Sequence, residues 1–476
     1  MRQLSKTEKW CYAIGNIPQA VKDTAFGSFV VFYYTQVLGL SGTLAGLAML
    51  IAMVWDAISD PIVGSWCDSV KSRFGRRHPL LFIGGISTAC LFLLLFRPPA
   101  GLSEVDTFLW LTLISVFIRT TMTVYFIPYQ AMGAEMSSDY DERTVIAKAR
   151  VTMAFLGAMV LPAIAYGLIF QSSADTDGRL VAANYWDYGL ISFAMALSST
   201  LICLWGTKTT IPSLPQATPA TPKFSFTKPY SDFLVAASNK NFRATIGTNL
   251  AFGICAGTYA TMGLYIATYY WEFSSSDLAG FVIPTFLATM TAFFLINRIG
   301  RRYDKNRLMS FICLAFSINV AWLVTARLLG WLPDNGHPVL LQLQWLQIYI
   351  GVGLIASLAI IVASLMADIL DQQEVDTGIR QDGVFFAAAS FVTKTTTGVG
   401  SFVAGLSVDL SGLKPGMTPG FVPDSVLMTL GWFYGPGIAL FALIAWLFSR
   451  RITLSRTQTI RIQAELLQKK HATSND

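Results

Sequence analysis

Charge is scarce in this chain. Asp, Glu, Lys and Arg together make up 13% of its 476 residues, about half the share of a soluble domain. Histidine is rarer still, with three copies and no H-E-x-x-H spacing, which argues against a zinc hydrolase. The six cysteines, Cys11, Cys67, Cys90, Cys203, Cys255 and Cys313, stand singly and mostly inside apolar runs. Such spacing fits neither a disulfide framework nor a metal cluster. No Ser-His-Asp set and no Gly-rich phosphate loop supports an enzyme. We therefore assign no catalytic residue and no resident cofactor, and the lack of an appended soluble domain disfavours a receptor.

Apolar residues dominate instead, at 53% of the chain, with a mean hydropathy of +0.52. They fall in twelve runs, at 10–38, 42–66, 79–97, 105–133, 147–171, 186–207, 243–272, 276–298, 307–330, 345–369, 383–410 and 424–450. Most reach the roughly 20 residues that a helix needs to cross a bilayer. Gly and Pro inside them are tolerated by transmembrane helices. The first run is too long for a signal-peptide core and lacks a small-residue cleavage site, so it stays as the first helix. The expectation is an all-α membrane protein with twelve transmembrane helices.

The net charge of +6 reports topology and not a nucleic-acid partner. Lys71, Arg73, Arg76 and Arg77 follow the second run, and Arg298, Arg301, Arg302, Lys305 and Arg307 follow the eighth. Arg450, Arg451, Arg456, Arg461, Lys469 and Lys470 crowd the tail, while the alternate loops carry chiefly Arg97, Arg179, Arg327 and Lys414. By the positive-inside rule both termini face the cytoplasm of a multi-pass protein in the inner cell membrane. Arg-x-Gly-Arg-Arg occurs twice, at 73–77 and 298–302, each time after the second run of a six-run half. That recurrence suggests two parallel repeats around a midplane binding site. We divide the chain into a six-helix bundle (1–207), a Pro/Thr/Ser-rich cytoplasmic linker (208–242), a second bundle (243–450) and a tail (451–476). Within the linker, Pro229 to Ala237 reads as a short interfacial helix.

The chemistry concentrates in Val54-Trp-Asp56-Ala-Ile-Ser-Asp60-Pro61, inside the second run. Acids four residues apart share a helix face, with Cβ atoms roughly 6 Å apart. A carboxylate at membrane depth costs at least about 2.5 kcal/mol, and two on one face also repel. A bound cation relieves both penalties, since hard cations are held by several oxygens. Two other readings stay open: a structural pair with a basic residue on a neighbouring helix, or one aspartate kept protonated, which couples to protons instead of sodium.

Further polar residues interrupt the runs. Lys22 and Asp23 stand in the first, where they neutralise each other, or Asp23 faces a central cavity and bonds a substrate hydroxyl. Arg119, Thr123, Phe126 and Gln130 form one stripe of the fourth helix that should face the protein interior. Arg119 either lines the cavity or pairs with an acid such as Asp23 or Asp60. Arg150 lies early in the fifth helix, where a snorkelling side chain is the plain account. Asp368 to Gly383 reads as a polar loop. Lys394, eleven residues beyond it, needs a partner at that depth, and an acid of the first or second helix is expected.

Together these stretches resemble the glycoside–pentoside–hexuronide:cation symporters, the melibiose-permease branch of the major facilitator superfamily. The matching pieces are Trp55 to Pro61, Arg73-Phe-Gly75-Arg76, Ile127-Pro128, Arg150, Thr377-Gly378-x-Arg380-x-x-Gly383 and Lys394. The resemblance implies a major facilitator fold, two six-helix bundles working by alternating access, coupled to sodium or protons. It implies a cation site of Asp56, Asp60 and, by position, Thr123. Ser59 stands where the melibiose carrier has asparagine, offering a hydroxyl in place of an amide oxygen. An ungapped match puts Gln19 and Ala20 where the family has a Lys-Asp pair, and Phe126 and Gln130 replace an acid and an aromatic. Sodium-dependent lysolipid symporters also resemble the chain, around Tyr12 to Gly15, Pro128-Tyr129 and Phe385 to Asp409.

The expected substrate site is Gln19, Asp23, Arg119, Phe126, Gln130, Arg150 and Lys394. Its basic members suit an acidic, sugar-like solute such as a uronide; the alternative is a lysolipid or another amphipathic anion. The expected partners are a small-molecule substrate, a monovalent cation and the bilayer, and the chain is expected to work as a monomer.

Overall fold

Hydrocarbon offers backbone N–H and C=O groups no partner, so apolar runs in a bilayer become helices. The computed structural model describes residues 4–137, 139–173, 176–214, 238–300, 302–377 and 382–473, and among these there is no strand. We number the helices α1 (residues 6–37), α2 (Gly42–Ser69), α3 (His78–Leu95), α4 (Glu104–Glu135), α5 (residues 140–169) and α6 (Ala182–Thr207). The second half brings α7 (residues 240–270), α8 (residues 275–299), α9 (Lys305–Leu328), α10 (Pro338–Thr377), α11 (Asp382–Ser411) and α12 (residues 424–449). A polar helix, α13 (Arg456–Thr473), follows. Ten of them, α2 to α10 and α12, are long and apolar enough to cross a bilayer.

Helix α1 is not one straight rod. It turns at Gly15-Asn16, and the five-residue π segments Ala25–Phe29 and Tyr33–Val37 widen it further on. Such widened turns shift the side-chain register and often sit at functional sites. Here the first begins two residues after Asp23.

Helix α10 corrects one expectation. It runs 40 residues to Thr377, so Asp368, Asp371 and Glu374 lie on a helix and not in a loop. At about 1.5 Å per residue it outreaches the roughly 30 Å hydrocarbon layer. Its polar end is held by neighbours: Lys305 Nζ lies 2.5 Å from Asp368 Oδ2, and Asn241 Nδ2 donates to Gln372 Oε1 at 2.9 Å. Most of the expected linker, including Pro229 to Ala237, lies outside the described residues, as do Arg301 of the second basic repeat and Gly378 to Arg380.

The two halves meet tightly at the end remote from the termini. There α2 packs on α11 backbone to backbone: a Cβ added to Gly405 would stand 1.9 Å from the Gly42 carbonyl oxygen, and one on Gly46 2.7 Å from Phe402 Cα. Small residues at this spacing let membrane helices approach closely. Asp409 of α11 caps the N-terminus of α2, accepting from the Gly42 and Thr43 backbone N–H groups and the Ser41 hydroxyl, each at 2.7 Å. The Thr43 hydroxyl also donates to it, at 2.6 Å. Tyr265 with Thr35, Tyr269 with Gln36, and Arg179 with the Phe273 carbonyl complete the seal. At the other end, strong polar contacts tie helices within one half, as between Arg76, Arg77 and Glu135.

Candidate cation and substrate site

Asp56 lies midway along the 28-residue helix α2, and Asp60 one turn nearer the termini. Both side chains point to Thr123 of α4: its hydroxyl oxygen is 3.2 Å from Asp56 Oδ1 and 3.0 Å from Asp60 Oδ1. Three oxygen groups from two helices thus converge. Ser59 is buried, but its hydroxyl is turned back onto the Asp56 carbonyl at 3.3 Å. Among the described residues there is no cluster of three or more His, Cys, Asp or Glu that could hold a metal. The oxygen set instead suits a weakly charged hard ion, held by two carboxylates and neutral oxygens.

Two protein cations serve the same acids, and a third serves Asp23 beside them. Lys394 of α11 places Nζ 2.9 Å from Asp56 Oδ2 and also bonds Asp60. Arg119 of α4 comes within 3.8 Å of the same Asp56 oxygen, and its guanidinium lies over Phe26 at 5.0 Å. Lys22 pairs with Asp23 at 3.4 Å. Counted with Asp60 the set is balanced, Lys22, Arg119 and Lys394 against Asp23, Asp56 and Asp60. Balance is what low-dielectric surroundings demand, because an uncompensated charge there is strongly destabilising.

All of these groups but Asp60 line a cavity of about 360 Å³ between the halves, with Gln19, Met49, Met53, Thr261, Thr397 and Ser401 among its walls. Gln19 Nε2 donates to Asp23 at 3.0 Å. Access is graded: the Asp56 side chain is 8% exposed and the Asp60 side chain 31%. The acids are thus reached from the end that carries the termini, while the far end is closed.

Of the expected substrate residues, Gln19, Asp23, Arg119 and Lys394 come together in this cavity. Phe126, Gln130 and Arg150 are not among its described lining residues. The stripe on α4 is real, but helical rise carries Gln130 about 10 Å beyond Thr123, where it is exposed. Phe126 packs on Tyr129, with ring centroids 6.0 Å apart. Arg150 stands behind α1, its carbonyl accepting from Asn16 at 3.1 Å. Thr393, Thr397 and Ser401 are lining residues that the sequence reading missed. Their spacing of four along an otherwise apolar run was the available signal.

A two-half helical bundle with a charged cavity at mid-depth, sealed at one end, is the architecture of a secondary transporter of the major facilitator fold. A family model described as MFS/sugar transport protein matches residues 11–456, and the chain belongs to that family. Among its relatives, the sodium-dependent lysophosphatidylcholine symporter 1 of Mus musculus is 24% identical over 86% of this chain and 79% of its own. The putative glycoside/cation symporter YagG of Escherichia coli (strain K12) is 24% identical over 85% and 83%. The crystal structure of a D-xylose-proton symporter superposes with a TM-score of 0.62 at 15% identity, covering 94% of this chain and 99% of that one.

Proposed function

We propose that the chain is a cation-coupled symporter that carries a sugar-like, acidic organic solute by alternating access. The observation that carries this reading is the shared grip of Asp56, Asp60 and Thr123, with Lys394 of the opposite half as the resident cation. A sodium ion or proton entering the oxygen site takes over the charge that Lys394 compensates. The freed ammonium, with Arg119, then faces the cavity as an anion receptor. Solute charge and coupling ion are thereby tied: neither is stable there without the other, which is what symport requires. Moving one positive charge inward along 100 mV contributes about 2.3 kcal/mol, and the seal around Asp409 must open on the other side of the cycle. The positive-inside pattern supports a cytoplasmic location for both termini.

The test is uptake into proteoliposomes under separately imposed sodium and proton gradients, with neutral sugars, uronates and lysophosphatidylcholine as solutes. Gradient-driven uptake of a uronate that disappears in Asp60→Asn is expected. Gradient dependence that survives in both Asp56→Asn and Asp60→Asn refutes the ion site. Preference for the lysolipid selects the other reading, which its sodium-dependent relative makes concrete.

A further inference from the structure

Helix α1 breaks ahead of Pro18. Proline has no N–H for the carbonyl four residues back, and its ring clashes with that carbonyl; the α-helical turns stop at Ile14 and resume at Ile17. The N–H groups of Gly15 and Asn16 close short turns onto the Tyr12 and Ala13 carbonyls, each at 3.0 Å, and the ladder restarts with Ala20 on Asn16 at 3.4 Å. Among the described residues no backbone N–H takes the Gly15 carbonyl.

A tyrosine takes it instead. Tyr125 of α4, fully buried, donates its hydroxyl to the Gly15 carbonyl at 2.6 Å. Its ring stacks on Tyr129, with centroids 5.8 Å apart, and Tyr129 stacks on Tyr12 at 4.6 Å. The stack seats against the break because Gly15 has no side chain: a Cβ there would stand 2.7 Å from Cys203 Sγ and 2.8 Å from Tyr129 Cε2. Tyr129 donates as well, to the Tyr12 carbonyl at 2.9 Å, which the Gly15 N–H already serves. Of the two bonds, that of Tyr125 holds the carbonyl that the break leaves out of the ladder.

The same stretch of α4 serves the ion site. At about 100° per residue, Tyr125 and Thr123 face nearly opposite sides of the helix: Thr123 reaches the acids of α2, and Tyr125 reaches α1. Gln19, Lys22 and Asp23 follow the break and line the cavity. At about 1.5 Å per residue Asp23 lies on an arm of about 12 Å from Gly15, so a pivot of about 5° displaces it by about 1 Å. We propose that Tyr125 is a positioning residue for the solute: its hydroxyl clamps the break in α1 and so sets where Gln19, Lys22 and Asp23 stand. The inference rests on the reading of that cavity as the solute site.

The experiment uses the full chain in lipid nanodiscs, with Cys90→Ser and a reporter thiol introduced by Gly27→Cys. Gly27 lines the cavity beyond the break, a Cβ there meets nothing within 4 Å, and the cysteines other than Cys90 are buried. The rate of reaction with a membrane-impermeant methanethiosulfonate reads the position and mobility of this part of α1. Tyr125→Phe keeps the ring and should raise the rate about fivefold, near the worth of one hydrogen bond. Tyr129→Phe, in the same stack and as deeply buried, should leave the rate within about twofold, because the Tyr12 carbonyl keeps its N–H partner. With Pro18→Ala, which returns the missing N–H, Tyr125→Phe should change the rate by less than about twofold, as a double-mutant cycle requires of coupled sites. Calorimetry without the reporter should show D-glucuronate binding about tenfold weaker in Tyr125→Phe, with sodium affinity within about twofold of the parent chain.

A rate that Tyr125→Phe leaves unchanged, an equal rise in Tyr129→Phe, or a rise that persists with Pro18→Ala overturns the proposal. So does D-glucuronate affinity that survives Tyr125→Phe, or an equal loss of sodium and D-glucuronate affinity, which marks a general loosening of the bundle. A parent chain that binds sodium but no D-glucuronate refutes the acidic-solute reading, and the three reporter rates then decide the clamp by themselves.

Discussion

Lys394 of α11 bonds the carboxylate of Asp60 on α2, a residue 334 positions away in the chain. With Nζ also 2.9 Å from Asp56, this one side chain joins the two halves at the level of the cavity. It cannot hold both acids and let a metal cation bind the same oxygens, because two like charges at such distances repel strongly in a poorly screened site.

Removing the ammonium should therefore favour the ion. In Lys394→Gln Asp60 loses its ammonium partner and Asp56 keeps only the more distant Arg119, and breaking such a pair destabilises by about 3–5 kcal/mol. Added sodium should restore much of that loss. Thermal unfolding in sodium and in choline buffer checks this: the sodium-induced rise in Tm should be larger in the variant than in the parent chain. An equal rise means that sodium and Lys394 do not compete.

The two acids should differ in their structural weight. Asp56 is the more buried and faces both Lys394 and Arg119, so Asp56→Asn leaves two cations short of charge and should cost about 3 kcal/mol. Asp60 is 31% exposed, and Asp60→Asn should cost about 1 kcal/mol. Comparison of unfolding midpoints in detergent tests the order, which reverses if Asp60 is the anchor.

Thr123 offers a hydroxyl to both carboxylates. Thr123→Val keeps the shape and removes the oxygen, so sodium affinity should fall about tenfold, near the 1–1.5 kcal/mol of one hydrogen-bonding group. Thr123→Ser should stay within about threefold of the parent. Sodium titration of substrate binding separates the two, and equal loss in both variants points to the methyl group instead.

The remote seal depends on Asp409. Its carboxylate accepts four bonds at the start of α2, where the helix dipole adds to the attraction. Asp409→Asn should weaken this latch by about 1–3 kcal/mol and shift the population toward the form open at that end. In a chain with Cys90→Ser, a cysteine placed at buried Ser401 should then react faster with a membrane-impermeant thiol reagent added from that side. An unchanged rate means that the glycine packing of α2 on α11 holds the seal alone.

Much of this was legible in the chain itself. Asp56 and Asp60 could be paired because both stand on one helix, where a spacing of four fixes their common face. The twelve apolar runs were likewise local facts, since a bilayer demands helices of a set length. The polar turns that end α10 were misread because what holds them, Lys305 and Asn241, lies far off in sequence. Of the stripe on α4, Arg119 and Thr123 reach the acids while Gln130 does not; sequence gave its angle around the helix but not the depth at which the cavity stops.

Sequence alone determined that the protein spans a membrane, in which runs it does so, and that two acids sit together at mid-depth. These follow from the energy of placing each residue in hydrocarbon, which is a property of local segments. Only the tertiary structure decided that Lys394 is the cation on those acids, that Lys22 and Arg119 join it in one cavity, and that one end is sealed by Asp409 on Gly42 and Thr43. Those contacts join helices from opposite halves, and no local preference encodes which faces meet or how deep one helix slides against another.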